Sequence, residues 1–159
     1  MTLDPLRQFL STYRTALKNG TLDTMHPHFS DPLVIFWKDG YDRTLNGAET
    51  LAVLEAIMEE ARANGYVDMV YQVGPTKSLP SGKYSAAVTL HYAAICGEIV
   101  ATADVVYYYT RQDNGDARIE MLECHGSPFE SFAETRDKGL PITPSNDPNA
   151  PSSGPAPIK

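Results

Sequence analysis

The chain of 159 residues is 42% hydrophobic, which suits one packed domain rather than two. It carries 13 Lys and Arg against 20 Asp and Glu, a net charge of −7. An acidic chain without basic clusters lacks the charge pattern of proteins that bind nucleic acid or anionic membranes, so neither partner is expected. No apolar run approaches the roughly 20 residues that span a bilayer. Asp4, Arg7 and Arg14 interrupt the apolar segment that a signal peptide needs, so a cytoplasmic protein is expected.

The chain has no recognisable motif for a metal or an organic cofactor. Cys96 and Cys124 are its two cysteines, and they lack CxxC spacing, which argues against a disulfide scaffold or a zinc ribbon. Glycine-rich phosphate loops, dinucleotide fingerprints and GxSxG nucleophile motifs are also missing from the sequence. We therefore expect neither a cofactor nor a metal.

Two strong helices are predicted in the first half of the chain. In the first, Asp4 is a suitable N-cap, Pro5 stands at the first helical position and Gly20 ends the helix. Its apolar positions recur at helical spacing: Leu6, Phe9, Leu10, Tyr13 and Leu17. The second helix is predicted over 48–64, with one apolar side formed by Leu51, Leu54, Ile57, Met58 and Ala61. A short helix over 22–27, a strand over 33–37 and a short segment over 41–45 are predicted between them.

The second half of the chain has the pattern of β-strands. Strands are predicted over 67–79, 83–95, 98–111 and 117–125, with turns at 81–82, 96–97 and 114–115. Helices followed by consecutive antiparallel strands indicate an α+β fold, with helices on one side of a curved sheet. Residues 141–159 hold six of the twelve prolines. This composition predicts a disordered tail over 136–159 after one folded domain over 3–135.

Side-chain alternation divides the last three strands into a polar face and an apolar face. With two-residue hairpin loops at 96–97 and 114–115, Thr89 lies opposite Asp104 and His91 opposite Thr102. Asp104 then lies opposite His125, or opposite Glu123 if the second loop is shifted by one residue. The polar face holds Thr89, His91, Thr102, Asp104, Glu123 and His125. The apolar face holds Tyr84, Val88, Leu90, Tyr92, Ile99, Val105, Tyr107, Tyr109 and Leu122.

Two interpretations of these faces are open on the pattern alone. In the first, the polar face is solvated and the apolar face is the core under the helices. In the second, the polar face lines a pocket between sheet and helices. The second interpretation needs a partner subunit over the apolar face, because monomers rarely expose such a patch.

Residues 13–23, YRTALKNGTLD, and the following Phe29-Ser30-Asp31 carry a resemblance to a known family. They are similar to the opening of nuclear-transport-factor-2-like (NTF2-like) proteins, a helix ending in Tyr-x-x-Ala-Leu-x-x-Gly-Asp-Leu-Asp and then Leu-Phe-Ala-Asp. Asn46-Gly47 matches the glycine before the third helix of that family. The resemblance covers roughly 5–126. It implies a cone-shaped, curved antiparallel sheet with N-terminal helices packed on its concave face.

Within this superfamily, which includes SnoaL-like polyketide cyclases, the closest functional comparison is with ketosteroid isomerases. Tyr13 stands where they have the tyrosine of the oxyanion hole, and Asp104 where they have the protonated aspartic acid of that hole. Their general-base aspartate is not matched, since Trp37 stands in its place with Asp39 two residues on. The resemblance also implies that the face with Asp104 lines the interior, so the second interpretation is preferred. A homodimer is then expected through the opposite face, at Tyr84, Tyr92, Tyr107 and Tyr109.

These observations predict a pocket for a small, largely apolar molecule. Its candidate catalytic residues are Tyr13, Asp104, His125, Glu123 and His91. Its candidate lining residues are Trp37, Tyr71, Thr89, Thr102 and Met121. A His–carboxylate pair would act as general base, and Tyr13 would donate a hydrogen bond to a developing enolate oxygen. One function open to such a pocket is that of a cofactor-independent isomerase, dehydratase or cyclase acting on a carbonyl compound. The alternative is a non-catalytic ligand-binding or dimerisation module on the same fold.

Overall fold

A curved, unclosed sheet covers two α-helices in the computed structural model, which describes residues 4–130 and 132. The first half contains α1 (Pro5–Asn19), a 3₁₀ helix (Leu22–His28), β1 (Phe29–Trp37), β2 (Asp42–Leu45) and α2 (Gly47–Ala63). The second half contains β3 (Asp68–Val73), β4 (Lys77–Leu79), a 3₁₀ turn (Pro80–Gly82), β5 (Lys83–Ala93), β6 (Ile99–Arg111) and β7 (Ala117–Gly126). The strand order is β2-β1-β7-β6-β5-β3, and β4 also pairs with β5. The predicted α+β fold is confirmed.

The ends of both helices follow from their capping residues. The Asp4 carboxylate accepts a hydrogen bond from the Leu6 backbone N–H at 3.2 Å, and Gly20 ends α1 in a left-handed conformation with φ of 69°. At the start of α2, Asn46 and Glu49 each accept a hydrogen bond from the other's backbone N–H, both at 2.8 Å. The two predicted helices therefore agree with the structure to within about one residue.

Two of the predicted strands differ from the structure. The single strand expected over 67–79 is divided into β3 and β4, because Pro75 has no N–H to donate to a ladder. The strand expected over 33–37 begins earlier, at Phe29. That strand pairs in parallel with β7, so the sheet is mixed rather than wholly antiparallel.

The predicted register is right on one side of β6 and incomplete on the other. Thr89 pairs with Asp104 and His91 with Thr102, as expected. Between β6 and β7 the register shifts twice, and Asp104 lies opposite Gly126 rather than His125 or Glu123. Bulges of this kind insert one residue in one strand, which no count from the hairpin loop can anticipate.

The apolar face of the strands is the inner face, and the core lies between it and the helices. Leu90, Tyr92 and Tyr107 are buried there together with the apolar stripe of α1. The Phe9 ring of α1 lies 5.8 Å from the Tyr107 ring of β6. The first of the two interpretations is therefore correct, and the polar-lined pocket is wrong. The physical reason is that the apolar stripes of the helices must bury themselves against an apolar surface.

The surface predicted for a homodimer is internal to this chain. Tyr92, Tyr107 and Tyr109 are no more than 5% exposed, and Tyr84 packs against the same core. The prediction of these side chains as a dimer contact is wrong. A homodimer stays a prediction, and it must use another surface.

None of the helices within residues 4–130 and 132 is long and apolar enough to cross a membrane. The ends of the predicted domain, at 3 and 135, and the predicted tail over 136–159 lie outside the described residues.

An ion pair between Arg14 and Asp68 connects α1 to the edge strand β3. The two side chains form two hydrogen bonds, at 2.8 and 3.1 Å, and the Asp68 side chain is 29% exposed. Hydrogen bonding by Arg14 lowers the pKa of Asp68 from 3.8 to about 2. Because the pKa of the folded state is the lower one, this contact stabilises the fold above about pH 4 and is lost as the pH falls towards 2.

We expect Asp68→Asn to lower the free energy of unfolding by about 1 kcal/mol at pH 7, a value reduced for solvent screening of a partly exposed pair. The loss should shrink towards zero near pH 2. Urea denaturation at both pH values measures it. Asp113→Asn, in the exposed turn after β6, is the matched control and should change the free energy of unfolding by less than about 0.5 kcal/mol at pH 7. An equal loss at both pH values would contradict the assignment.

Candidate functional site

A cavity of about 70 Å³ lies inside the core, between the inner face of the sheet and α2. We call it the inner cavity. Its described lining is mostly aliphatic and aromatic and comprises Tyr13, Phe29, Leu33, Ile35, Leu45, Thr50, Val53, Leu54, Ile57, Leu90, Tyr92, Ala103, Val105, Tyr107, Leu122, Cys124, Ser127, Phe129 and Phe132. No carboxylate, histidine, lysine or arginine side chain is among these residues. Such a surface favours an apolar molecule.

The ionisable groups of this lining are all held in their uncharged form. Burial raises the pKa of Tyr13 to about 12, against a smaller opposing effect of its hydrogen bond with Tyr92. Burial likewise raises the pKa of Tyr92 and Tyr107 well above the usual value. The Cys124 thiol, also buried, has its pKa raised to about 11. At neutral pH the inner cavity therefore has hydroxyl and thiol groups but no general base.

Among the described residues, Thr50 has the one buried polar side-chain atom without a hydrogen-bond partner. It is only 3% exposed, and its hydroxyl oxygen has no hydrogen-bond partner among the described residues. It stands in the first turn of α2, where its own backbone N–H already donates to the Asn46 carbonyl at 2.9 Å. A buried hydroxyl without a partner destabilises the folded state, because it has given up its hydrogen bonds to water.

We expect Thr50→Val to raise the free energy of unfolding of the ligand-free protein by about 1 kcal/mol, since the substitution removes the unpaired hydroxyl and keeps the shape. Thermal or urea denaturation measures the change. Thr12→Val is the matched control, because the exposed Thr12 hydroxyl donates to the Gln8 carbonyl at 3.0 Å. The control should stay within about 0.5 kcal/mol of the parent. Destabilisation by Thr50→Val would show that this hydroxyl is bonded within the protein.

A second cavity of about 220 Å³ adjoins the first, and we call it the outer cavity. Its lining comprises Trp37, Lys38, Asp39, Cys124, His125, Gly126, Ser127, Phe129 and Phe132. Cys124, Ser127, Phe129 and Phe132 line both cavities and so form the wall between them. Lys38, Asp39 and His125 are exposed, which places the outer cavity on the solvent side of this wall.

The predicted catalytic residues do not come together in one pocket. Tyr13 lines the inner cavity, as expected for a residue that contacts a ligand. Asp104 and His91 lie on the outer face of the sheet and line neither cavity. The Asp104 carboxylate accepts a hydrogen bond from the Thr89 hydroxyl at 2.9 Å. The expected convergence with Tyr13 is wrong, because the sheet separates the two sides.

His125 has a different carboxylate partner from the one predicted. Its Nε2 atom lies 2.8 Å from Oε2 of Glu123, whose other oxygen accepts a hydrogen bond from the Tyr108 hydroxyl at 2.9 Å. Glu123 and His125 are two residues apart on β7, and their side chains are 35% and 41% exposed. His125 also lines the outer cavity. The structure thus contains a His–carboxylate pair, but it is placed at the outer cavity.

None of the five predicted lining residues lines the inner cavity. Trp37 lines the outer cavity, where its ring lies 5.4 Å from that of Phe132. Tyr71 is half-buried against the core without reaching either cavity. Thr89 and Thr102 accompany Asp104 and His91 on the outer face, and Met121 pairs there with Tyr108. For Thr89, Thr102 and Met121, the predicted position in a pocket lining is wrong, because their side chains lie on the opposite side of the sheet from the inner cavity.

Sequence reasoning missed Thr50 as a candidate site residue. The apolar side of the second helix was predicted to begin at Leu51, whereas the buried positions of α2 are Thr50, Val53, Leu54, Ile57 and Ala61. A polar residue at the head of this i, i+3, i+4, i+7 series is the signal that would have found it.

No three His, Cys, Asp or Glu side chains lie close enough to hold a metal ion within the part of the chain that the structure describes.

Comparisons with known proteins agree with this architecture. A family model described as "NTF2-like protein (DUF6841)" matches residues 4–126. An NTF2-like protein of unknown function from Shewanella oneidensis has a similar structure, with 17% identity, a TM-score of 0.58 and coverage of 77% of this chain and 98% of that one. A domain of unknown function with a cystatin-like fold from Nostoc punctiforme also matches, with 17% identity, a TM-score of 0.56 and coverage of 86% of each chain.

Aln2 from a Streptomyces species is another structural neighbour, with 13% identity, a TM-score of 0.55 and coverage of 81% of this chain and 93% of that one. At such identities the likeness concerns the fold alone. A search of curated protein sequences finds no match.

Proposed function

The chain belongs to the NTF2-like family DUF6841, and from the geometry of its interior we propose that it binds a small, largely apolar molecule between the sheet and α2. The observation that carries this proposal is the inner cavity, a partly open and mostly apolar space between the sheet and α2. Native cores are close-packed, and each void destabilises them. A cavity that persists at the centre of a small domain therefore favours a role in ligand binding.

The chemistry of the cavity favours binding over acid–base catalysis within it. The pKa values of Tyr13, Tyr92, Tyr107 and Cys124 are all raised, so none of them removes a proton at neutral pH. Tyr13 also lines the cavity with a neutral side chain, but its hydroxyl is already hydrogen-bonded to Tyr92. The alternative interpretation of the sequence, a non-catalytic binding module, accords best with these groups.

The volumes limit the size of the ligand. An engineered cavity of about 150 Å³ holds one benzene molecule. The inner cavity has about 70 Å³, so even a single ring requires small movements of its lining, and a larger molecule must extend into the outer cavity. Phe129 and Phe132, which line both, are the side chains that must move.

The test is to fill the inner cavity from within. Ala103, in the middle of β6, is 3% exposed and lines it. We expect Ala103→Leu to fold normally, with a loss within about 1 kcal/mol, because its added carbons enter existing space. The probe is p-xylene, which is larger than benzene and by the volumes above must extend past Phe129 into the outer cavity. Its binding, followed by NMR shifts of methyl groups along the cavity, should weaken at least tenfold in the variant.

Ala86→Leu is the matched control for this variant. Ala86 is equally buried on the inner face of β5 but does not line the inner cavity. Overpacking should therefore lower its free energy of unfolding by about 1–3 kcal/mol while p-xylene binding persists. Failure of the parent protein to bind p-xylene, or unchanged binding by Ala103→Leu, would overturn the proposal.

A second candidate function is acid–base chemistry in the outer cavity. The observation that favours it is the His125–Glu123 pair, since a carboxylate hydrogen-bonded to one ring nitrogen fixes the tautomer and the orientation of an imidazole. This retains the His–carboxylate general base predicted from the sequence, with Glu123 as the carboxylate. A substrate would then place its apolar part near Phe129 and its reacting carbon near His125.

Base-catalysed ring opening of a nitrobenzisoxazole tests this candidate, since the reaction needs only removal of a proton from carbon as the N–O bond breaks. We expect His125→Gln and Glu123→Gln each to lower the rate at least tenfold. Asp104→Asn is the matched control, because Asp104 lies on the outer face and bonds to Thr89. A rate no higher than that of free imidazole, or equal losses in all three variants, would reject the candidate.

A further inference from the structure

The hydroxyl of Thr50 is the one polar side-chain group that the described interior leaves without a partner. The wall of the inner cavity to which Thr50 belongs is mostly aliphatic and aromatic, and Leu45, Val53 and Leu54 are among its hydrocarbon side chains. A threonine hydroxyl has one proton to donate and two lone pairs to accept with. At Thr50 neither the proton nor the two lone pairs form a hydrogen bond, although the residue is only 3% exposed.

Two other buried hydroxyl groups of the inner cavity differ from Thr50 in this respect. Tyr13 and Tyr92 are hydrogen-bonded to each other. No further buried oxygen or nitrogen atom of a side chain is without a partner in the described residues. Buried polar groups in proteins are nearly always paired, and each exception needs a physical explanation.

We propose that Thr50 determines the ligand specificity of the inner cavity, and that the ligand is a small apolar molecule bearing one hydroxyl or carbonyl oxygen that hydrogen-bonds to Oγ1 of Thr50. This inference rests on the proposed binding function. The first turn of α2 places Thr50 in the wall of the inner cavity, and the apolar residues of the same wall would contact the rest of the ligand. An analogue without the oxygen leaves Thr50 unpaired, so the site discriminates against it.

Two isosteric probes, p-cresol and p-xylene, separate the contribution of the oxygen from that of the hydrocarbon. Their dissociation constants are measured by NMR titration for the parent protein and for Thr50→Val. We expect the preference for p-cresol over p-xylene to fall about tenfold in the variant, the effect of one hydrogen bond in a buried site. Binding of p-xylene should be unchanged or slightly tighter.

Three further variants assign the effect. Thr50→Ser keeps the hydroxyl and should restore the preference for p-cresol. Thr12→Val, on the exposed surface of α1, should leave it unchanged. Tyr13→Phe tests the other hydroxyl of the cavity wall and should retain most of the preference, because the Tyr13 hydroxyl already has a partner.

The outcomes distinguish this inference from the proposed function. If p-xylene binds and Thr50→Val leaves the preference for p-cresol unaltered, the role of Thr50 is rejected while the binding function stands. If the preference for p-cresol is lost in Tyr13→Phe but kept in Thr50→Val, the inference is also overturned. Tyr13 would then be the residue that hydrogen-bonds to the ligand. If neither probe binds the parent protein, the binding function fails, and this inference fails with it.

Discussion

Replacing Phe9 by alanine should lower the free energy of unfolding by about 4 kcal/mol, the usual effect of removing a fully buried aromatic ring. Phe9 is 3% exposed and joins α1 to three other elements. Its ring lies 5.6 Å from that of Phe29, 5.8 Å from that of Tyr107 and 6.0 Å from that of His28. Since small domains are stable by about 5–15 kcal/mol, the loss is a large part of the total.

Urea denaturation followed by circular dichroism measures this loss. Phe36→Ala is the matched control. Because Phe36 is 36% exposed, removal of its ring should lower the free energy of unfolding by only about 1 kcal/mol. If Phe9→Ala does not fold, Phe9→Leu gives the smaller loss of about 1 kcal/mol expected when most of the volume is kept. Equal losses for Phe9→Ala and Phe36→Ala would contradict the position of α1 on the sheet.

Replacing Phe129 by alanine should join the inner and outer cavities and speed ligand exchange at least tenfold. Phe129 is 4% exposed, lies 5.2 Å from the Tyr92 ring and 5.8 Å from the Tyr66 ring, and lines both cavities. Removal of its ring also takes away buried contacts, so the free energy of unfolding should fall by about 3 kcal/mol.

The exchange rate of p-xylene, measured by NMR line shape, tests the first effect, and denaturation tests the second. Phe9→Ala serves as the control, because it destabilises the fold comparably but lines neither cavity. Its exchange rate should stay close to that of the parent. If both variants accelerate exchange equally, the ligand leaves through general unfolding and Phe129 does not separate the cavities.

Much of the local structure could be predicted from neighbouring residues alone. Asp4, Pro5 and Gly20 predict the ends of α1 because capping depends on residues within one turn. The same holds for Asn46 and Glu49 at the start of α2. The parallel pairing of β1 with β7 could not be predicted in this way, since it joins strands that are distant in sequence.

The candidate site was harder to predict, because it depends on which face of each element is covered. Thr89, His91, Thr102 and Asp104 do share one face, as their alternation indicated. The pocket, however, lies behind the opposite face, at Leu90, Tyr92 and Ala103. Choosing the polar face placed four of the five predicted catalytic residues outside the inner cavity and left Tyr13 inside it.

The sequence by itself determined the order of the elements, the caps of the helices and the division of each strand into two faces, because these depend on residues close along the chain. Only the tertiary structure decided which face the helices cover, where bulges displace Asp104 from His125, and that Thr50 ends beside a cavity. These features arise from packing between elements that are distant in sequence. The burial of an apolar stripe on α1 selects the apolar side of the sheet, and the polar side is left to solvent.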